Sequence, residues 1–298
     1  MRSELEPQGT IVLERSRLAD YITLTKPELT FLSVITAMSG VFLASPGTLP
    51  LGVLFHVVLG TALVGGGAGA LNQFIERDYD GMMRRTEHRP LPSGRLFPIE
   101  VLVFGLLTTI IGIVDLAVFT NLLSAFLAVI TSVTYLFLYT PLKRITPWST
   151  AVGGIPGALP PVIGWTAVTD GVTAGAYVLF AILFFWQMPH FFSLAWMYRK
   201  DYARAGYKML TVLDSSGAIT SRHIVAYCGL LFITSLLPGI FGYSGLLYLG
   251  VAVLLGIGFL ATGIQLRVAR SNEAARRVFF ASLLYLPALL LTMVVDKL

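Results

Sequence analysis

The chain has 298 residues, of which 55% are hydrophobic and only 12% charged, against about 25% charge in an ordinary soluble domain. Together with a mean hydropathy of +0.77, this excludes a soluble Rossmann or barrel enzyme, and the single cysteine, Cys228, excludes an intrachain disulfide framework. A net charge of +5 and a pI near 9.4 invite a nucleic-acid partner, which the placement of the basic residues rejects.

Residues 1–28 form a polar amino-terminal tail. Glu4, Glu6, Glu14 and Asp20, with no apolar core among them, argue against a secretory peptide and a mitochondrial presequence. Apolar runs of about 20 residues then predict nine transmembrane helices. They cover roughly 29–46, 52–77, 98–118, 121–140, 148–167, 174–199, 221–241, 245–268 and 275–295. Outside these cores and at their ends, 20 of the 21 Lys and Arg residues fall on the tail or the even-numbered connections; Lys297 alone lies on the other side. The positive-inside rule therefore predicts a cytoplasmic amino terminus in a bacterial inner (plasma) membrane. The expected fold is an all-α, multi-pass membrane protein with a single domain, 1–298, embedded in the lipid bilayer.

Two connections on the basic side are long and rich in charge, residues 78–97 and 200–220. They lie about 120 residues apart, which suggests two four-helix halves plus a ninth helix around a central cavity. Loops of this kind carry function more often than scaffold does.

The first loop is preceded by Asn72, Glu76 and Asp80, spaced i, i+4, i+8, so on a helix they form one stripe of oxygen ligands. Such oxygens suit magnesium bound together with a phosphate-bearing substrate. Arg84, Arg85 and Arg89 follow and could grip phosphate oxygens. The plainer alternative is a solvated helix cap with arginines obeying the positive-inside rule; it suits Asn72 least, because that residue falls inside the apolar boundary. The preceding run Gly65-Gly-Gly-Ala-Gly69 lacks the lysine and strand context of a phosphate loop and reads as helix packing.

Span five contains Gly153-Gly-Ile-Pro156-Gly157-Ala-Leu-Pro160-Pro161, which should distort it. In span six Pro189 should disturb the helix beside His190. On one continuous helix His190 and Asp201 would nearly share a face, about 16 Å apart. His190 suits either a hydrogen bond to a neighbouring helix or a substrate contact. Asp201 and Lys208 on the second loop suggest a site shared with the first. His56 and Asp115, near the outer ends of their spans, read as structural, and His88 and His223 have no metal-ligand company.

Several strings carry a resemblance: Asn72-xxx-Glu76-x-Asp78-x-Asp80 with Met83-x-Arg85-Thr86-xx-Arg89-Pro90-Leu91, Tyr139-Thr-x-Leu142-Lys143-Arg144, Gly153-Gly-xx-Gly157-Ala-x-Pro160-Pro161-xx-Gly164-Trp165, Trp186-Gln187-Met188-Pro189-His190-Phe191, and Asp201-Tyr202-xx-Ala205-Gly206-xx-Met209-Leu210. Over roughly residues 20–295 the chain resembles the intramembrane aromatic prenyltransferases related to the ubiquinone enzyme, and within them the haem-directed farnesyltransferases. Glu76 stands where Asp is usual in the superfamily, and Ala205 where many relatives carry a second acid.

The resemblance implies transfer of farnesyl from farnesyl diphosphate to a vinyl group of haem B (protohaem IX), with addition of water, to make haem O for terminal oxidases. It implies magnesium held by Asn72, Glu76, Asp80 and Asp201, with Arg85, Arg89, Lys143 and Arg144 as catalytic helpers. Tyr139 would face the allylic cation, His190 and Lys208 would contact substrate, and Asp201 is also a candidate acceptor for the water's proton. Haem B enters as substrate rather than prosthetic group. A haem A synthase or an oxidase assembly factor would be a protein partner. Two other readings stay open: a related enzyme prenylating a quinone precursor, and a secondary transporter.

Overall fold

The computed structural model describes residues 16–298; Arg2, Glu4, Glu6, Glu14 and Arg15 of the predicted tail lie outside them. The described chain is helical: α1 (Arg17–Leu24), α2 (Pro27–Ala44), α3 (Leu51–Asp80), α4 (Pro98–Phe119), α5 (Leu122–Val133), α6 (Thr140–Leu142), α7 (Ser149–Ala158), α8 (Pro160–Thr169), α9 (Ala174–Met197), α10 (Arg199–Arg204), α11 (Leu210–Leu213), α12 (Ala218–Ile240), α13 (Leu246–Ala269) and α14 (Asn272–Val295). A π-helical stretch, Thr134–Tyr139, fuses α5 and α6 into one span. Among the described residues nine helical segments are long and apolar enough to cross a membrane, and all nine predicted spans coincide with them within a few residues.

Local chemistry explains the boundaries. Proline opens α2 and α4, where its missing N–H is no loss. Ser16, Asn121 and Ser271 cap α1, α5 and α14 with side-chain oxygens. Span five is divided at Leu159, between α7 and α8, where Pro160 and Pro161 cannot donate to the helical ladder. By contrast α9 runs through Pro189 unbroken and ends at Met197. Tyr198 leaves helical geometry and α10 begins afresh, so His190 and Asp201 do not share one helix as expected.

Polarity is inverted relative to a soluble protein. Leu107, Ile111, Leu254 and Leu284 are exposed on the outer faces, whereas Asn72, Gln73, Glu76, Asp80 and Gln187 are buried. Small residues let the helices touch. A Cβ on Gly164 would collide with the Ala37 carbonyl oxygen, and one on Gly40 with that of Pro161, so α2 and α8 meet backbone to backbone. Spans one, two and four pack on span five, while α4 lies against α3 and α5; α9 also packs on both halves of span five and joins it to α12 and α14, with α13 between those two, and α14 touches α2.

The glycine run of α3 does the packing expected of it. Gly67 lies against Gly105 and Thr109 of α4, while Gly66 and Gly69 lie under Leu24 and Thr25 at the α1–α2 elbow. The Gln73 amide donates to the carbonyls of both Thr23 and Leu24, clamping that elbow onto α3.

Candidate active site

Helix α3 outruns its predicted end by three residues, so Asn72, Glu76 and Asp80 all lie on one continuous helix, one turn apart, and all three are buried. Each meets a different cation. Lys26 Nζ donates to Asn72 Oδ1 at 2.5 Å, Lys143 Nζ to Glu76 Oε1 at 2.8 Å, and Arg89 Nη1 to Asp80 Oδ2 at 2.6 Å. The other oxygen of Asp80, Oδ1, is buried without any partner. Asn72 is oriented from behind, its Nδ2 donating to Thr140 Oγ1 at 2.9 Å.

The two long loops meet over this stripe. Met83 of the first packs with Tyr202, Ala205, Tyr207 and Met209 of the second. Tyr207 donates its hydroxyl to Glu76 Oε1 at 3.1 Å, and the Lys208 backbone N–H donates to the Lys143 carbonyl at 2.8 Å. Arg85 lies over the rings of Tyr198 and Tyr202, and Arg144 over that of Tyr79, 4.2 Å from its centre. The first loop is tied to α1 by Arg95, whose Nε reaches Asp20 at 2.9 Å.

Tyr135 and Tyr139 stack at 5.8 Å on the π-helical turn. Lys143 Nζ stands 4.5 Å above the Tyr139 ring, so that face already receives a cation. Burial opposes the charge on Lys143, but the Glu76 carboxylate outweighs it and holds the ammonium well above the usual lysine range. Burial and the same carboxylate raise the Tyr207 phenol. Lys26 goes the other way: burial, reinforced by Arg89, pulls it down to about 7 against the opposing effect of Glu76.

Other expected residues stand apart from the stripe. The Asp201 carboxylate is paired with Arg204 and borders a cavity of about 230 Å³ lined by Met197, Tyr198, Arg199, Lys200 and Asn272. Among the described residues no three His, Cys, Asp or Glu side chains converge, so Asp201 does not complete a carboxylate cluster with Glu76 and Asp80. The Lys208 side chain is exposed. His190 makes the neighbouring-helix bond: its Nδ1 lies 2.8 Å from Ser282 Oγ, and its ring stacks on Trp186 and Phe279. His56 and Asp115 turn out to pair with each other at 2.9 Å, joining α3 to α4.

Residues 33–284 match the UbiA prenyltransferase family. The chain belongs to that family. Among curated UbiA-type relatives, it is 47% identical to the protoheme IX farnesyltransferase of Solibacter usitatus and 46% to that of Salinibacter ruber, covering 94% of this chain and 99% of theirs in both cases. Its fold matches a solved structure of digeranylgeranylglyceryl phosphate synthase, with TM-score 0.78, 20% identity and coverage of 94% and 98% of the two chains. It also matches a UbiA homologue from Archaeoglobus fulgidus bound to DMAPP and Mg2+, with TM-score 0.63, 14% identity and coverage of 92% and 99%.

Three contributors to this UbiA-type site are not singled out by the sequence, Lys26, Tyr135 and Tyr207, and Thr140 stands there only as a motif position beside Tyr139. The i, i+4 spacing of Tyr135 and Tyr139 was the one usable signal. Lys26 looked like one more tail cation, and only the elbow over α3 brings it to Asn72.

Proposed function

We propose that this prenyltransferase moves farnesyl from farnesyl diphosphate to a vinyl group of haem B, adding water, to give haem O. The carrying observation is the buried Asn72–Glu76–Asp80 stripe, with the unpartnered Asp80 Oδ1, beneath two loops that bring cations to it. The name shared by its curated relatives supports haem as the acceptor.

The donor set fits magnesium: two carboxylates and an amide on one helix face, with one oxygen lacking any hydrogen bond. Asn72, Glu76 and Asp80 are the ligands we assign; Asp201, paired with Arg204, is left outside the set. When bound, magnesium would neutralise charge on the departing diphosphate. Arg85, Arg89, Lys143 and Arg144 hold phosphate oxygens as the bond between farnesyl C1 and oxygen breaks. The Tyr139 and Tyr135 rings face the resulting allylic cation. The terminal vinyl carbon bonds to C1, a water oxygen adds to the cationic inner vinyl carbon, and one of that water's two protons is lost to solvent, leaving a hydroxyl on the product and diphosphate as the released group. The loop-bearing end of the bundle is the cytoplasmic one in this reading, in a bacterial inner membrane.

Membranes carrying the chain, supplied with haem B, farnesyl diphosphate and magnesium, should yield a farnesylated, hydrated haem by mass, and Asp80→Ala should abolish it. If farnesyl diphosphate is consumed only when a hydroxybenzoate replaces haem, the acceptor assignment is wrong.

A further inference from the structure

Thr140 stands at the end of the π-helical turn, and its side chain is used differently from those of other helical threonines. The hydroxyls of Thr108, Thr109 and Thr131 each donate to the carbonyl four residues back and have no other hydrogen bond among the described residues. The Thr140 hydroxyl donates to the carbonyl five residues back, that of Tyr135, at 2.8 Å. The wide turn gives that same carbonyl the Thr140 backbone N–H as well. Unlike the other three, the Thr140 hydroxyl also has a partner on another span, the Asn72 amide of α3.

A hydroxyl has one proton, and a carbonyl can only accept. With its proton committed to Tyr135, Thr140 Oγ1 can only accept from Asn72, so the end of the amide turned toward it must be the NH2. Asn72 Oδ1 is thereby turned away from Thr140, to the side where Lys26 meets it. Both Thr140 and Asn72 are buried, so water does not offer the amide a different partner. The Lys26 ammonium imposes the same orientation, but at the oxygen a metal would take. Thr140 acts at the opposite end of the amide and leaves that oxygen open. A flipped amide would aim N–H donors at a cation and repel it.

We propose that Thr140 is a positioning residue for the magnesium site: its hydroxyl, committed to Tyr135 across the π-helical turn, locks the Asn72 amide with its oxygen free for the metal. This rests on the magnesium reading of the stripe given above. Merely satisfying a buried NH2 would be a structural role. The two differ in one respect: orientation matters to a metal only while residue 72 has one oxygen and one nitrogen, and a carboxylate there would be indifferent to it.

The test measures binding of manganese, which suits the same oxygen donors as magnesium, to the purified full chain with farnesyl S-thiolodiphosphate, read from the paramagnetic signal of the free ion. Thr140→Val, of the same shape, and Thr140→Ala should each raise the manganese dissociation constant about 10- to 100-fold. Thr140→Ser, which keeps the hydroxyl, should bind like the parent. In an Asn72→Asp background, where either rotamer presents an oxygen, Thr140→Val should add little further loss. Parent-like manganese affinity in both Thr140→Val and Thr140→Ala would overturn the positioning role and leave the metal reading standing. An equal loss from Thr140→Val in the parent and Asn72→Asp chains would also overturn it, leaving Thr140 a structural residue. A parent chain that takes up no manganese with the analogue would overturn the metal reading and the positioning role together.

Discussion

Lys143 and Tyr207 converge on a single oxygen, Oε1 of Glu76, at 2.8 and 3.1 Å. One comes from the connection after span four and the other from the second long loop, so this carboxylate joins both to α3. Removing one member of a buried ion pair strands its partner's charge, at about 3–5 kcal/mol. Lys143→Met should therefore lower stability by about that much in thermal unfolding of the detergent-solubilised chain. Adding Glu76→Gln to it should recover most of the loss and none of the activity. A double variant no more stable than Lys143→Met would refute the pairing.

Asp80 offers an oxygen with nothing bound to it. Asp80→Asn should cut turnover by about 10²–10³-fold and raise the magnesium concentration needed for half-maximal rate. Turnover followed across a magnesium titration decides this; an unshifted magnesium requirement would remove Asp80 from the metal.

The contact between α2 and α8 leaves no room for a methyl group at Gly164. Gly164→Ala must push apart two helix backbones and should destabilise by about 3 kcal/mol or more. Gly250→Ala, with nothing within 4 Å of the added carbon, is the control and should melt near the parent. Equal melting of the two variants would contradict the close approach.

Asp214, in the second loop, accepts from both the backbone N–H and the hydroxyl of Thr220 and from Ser216. Burial works to raise its pKa, but these hydrogen bonds prevail and hold it below the usual carboxylate range. A depressed folded-state pKa contributes stability above the unfolded value, near 3.9, and that contribution fades as pH falls through the folded one. Asp214→Asn should cost about 2 kcal/mol at neutral pH, and the gap to the parent should close as melting is followed below about pH 4. A gap that stays constant down to pH 3 would show that the charge is irrelevant.

The nine spans, their order and the oxygen stripe were legible in the sequence because each depends on local regularities. A membrane helix needs about 20 apolar residues, and i, i+4, i+8 spacing puts three side chains on one face whatever surrounds them. The division of span five followed equally locally from its prolines.

Which cation meets which oxygen was decided by tertiary structure alone. Lys26 lies 46 residues from Asn72, and Tyr207 lies 131 from Glu76; no periodicity links residues so far apart. Asp201 shows the converse. Its motif suggested a ligand, but α9 ends at Met197, α10 begins afresh after Tyr198, and the carboxylate pairs with Arg204. The sequence by itself determined a prenyltransferase-type bundle with one acidic stripe; the glycine-backed elbow, the π-helical turn and the closure of two loops decided how charge is balanced around it.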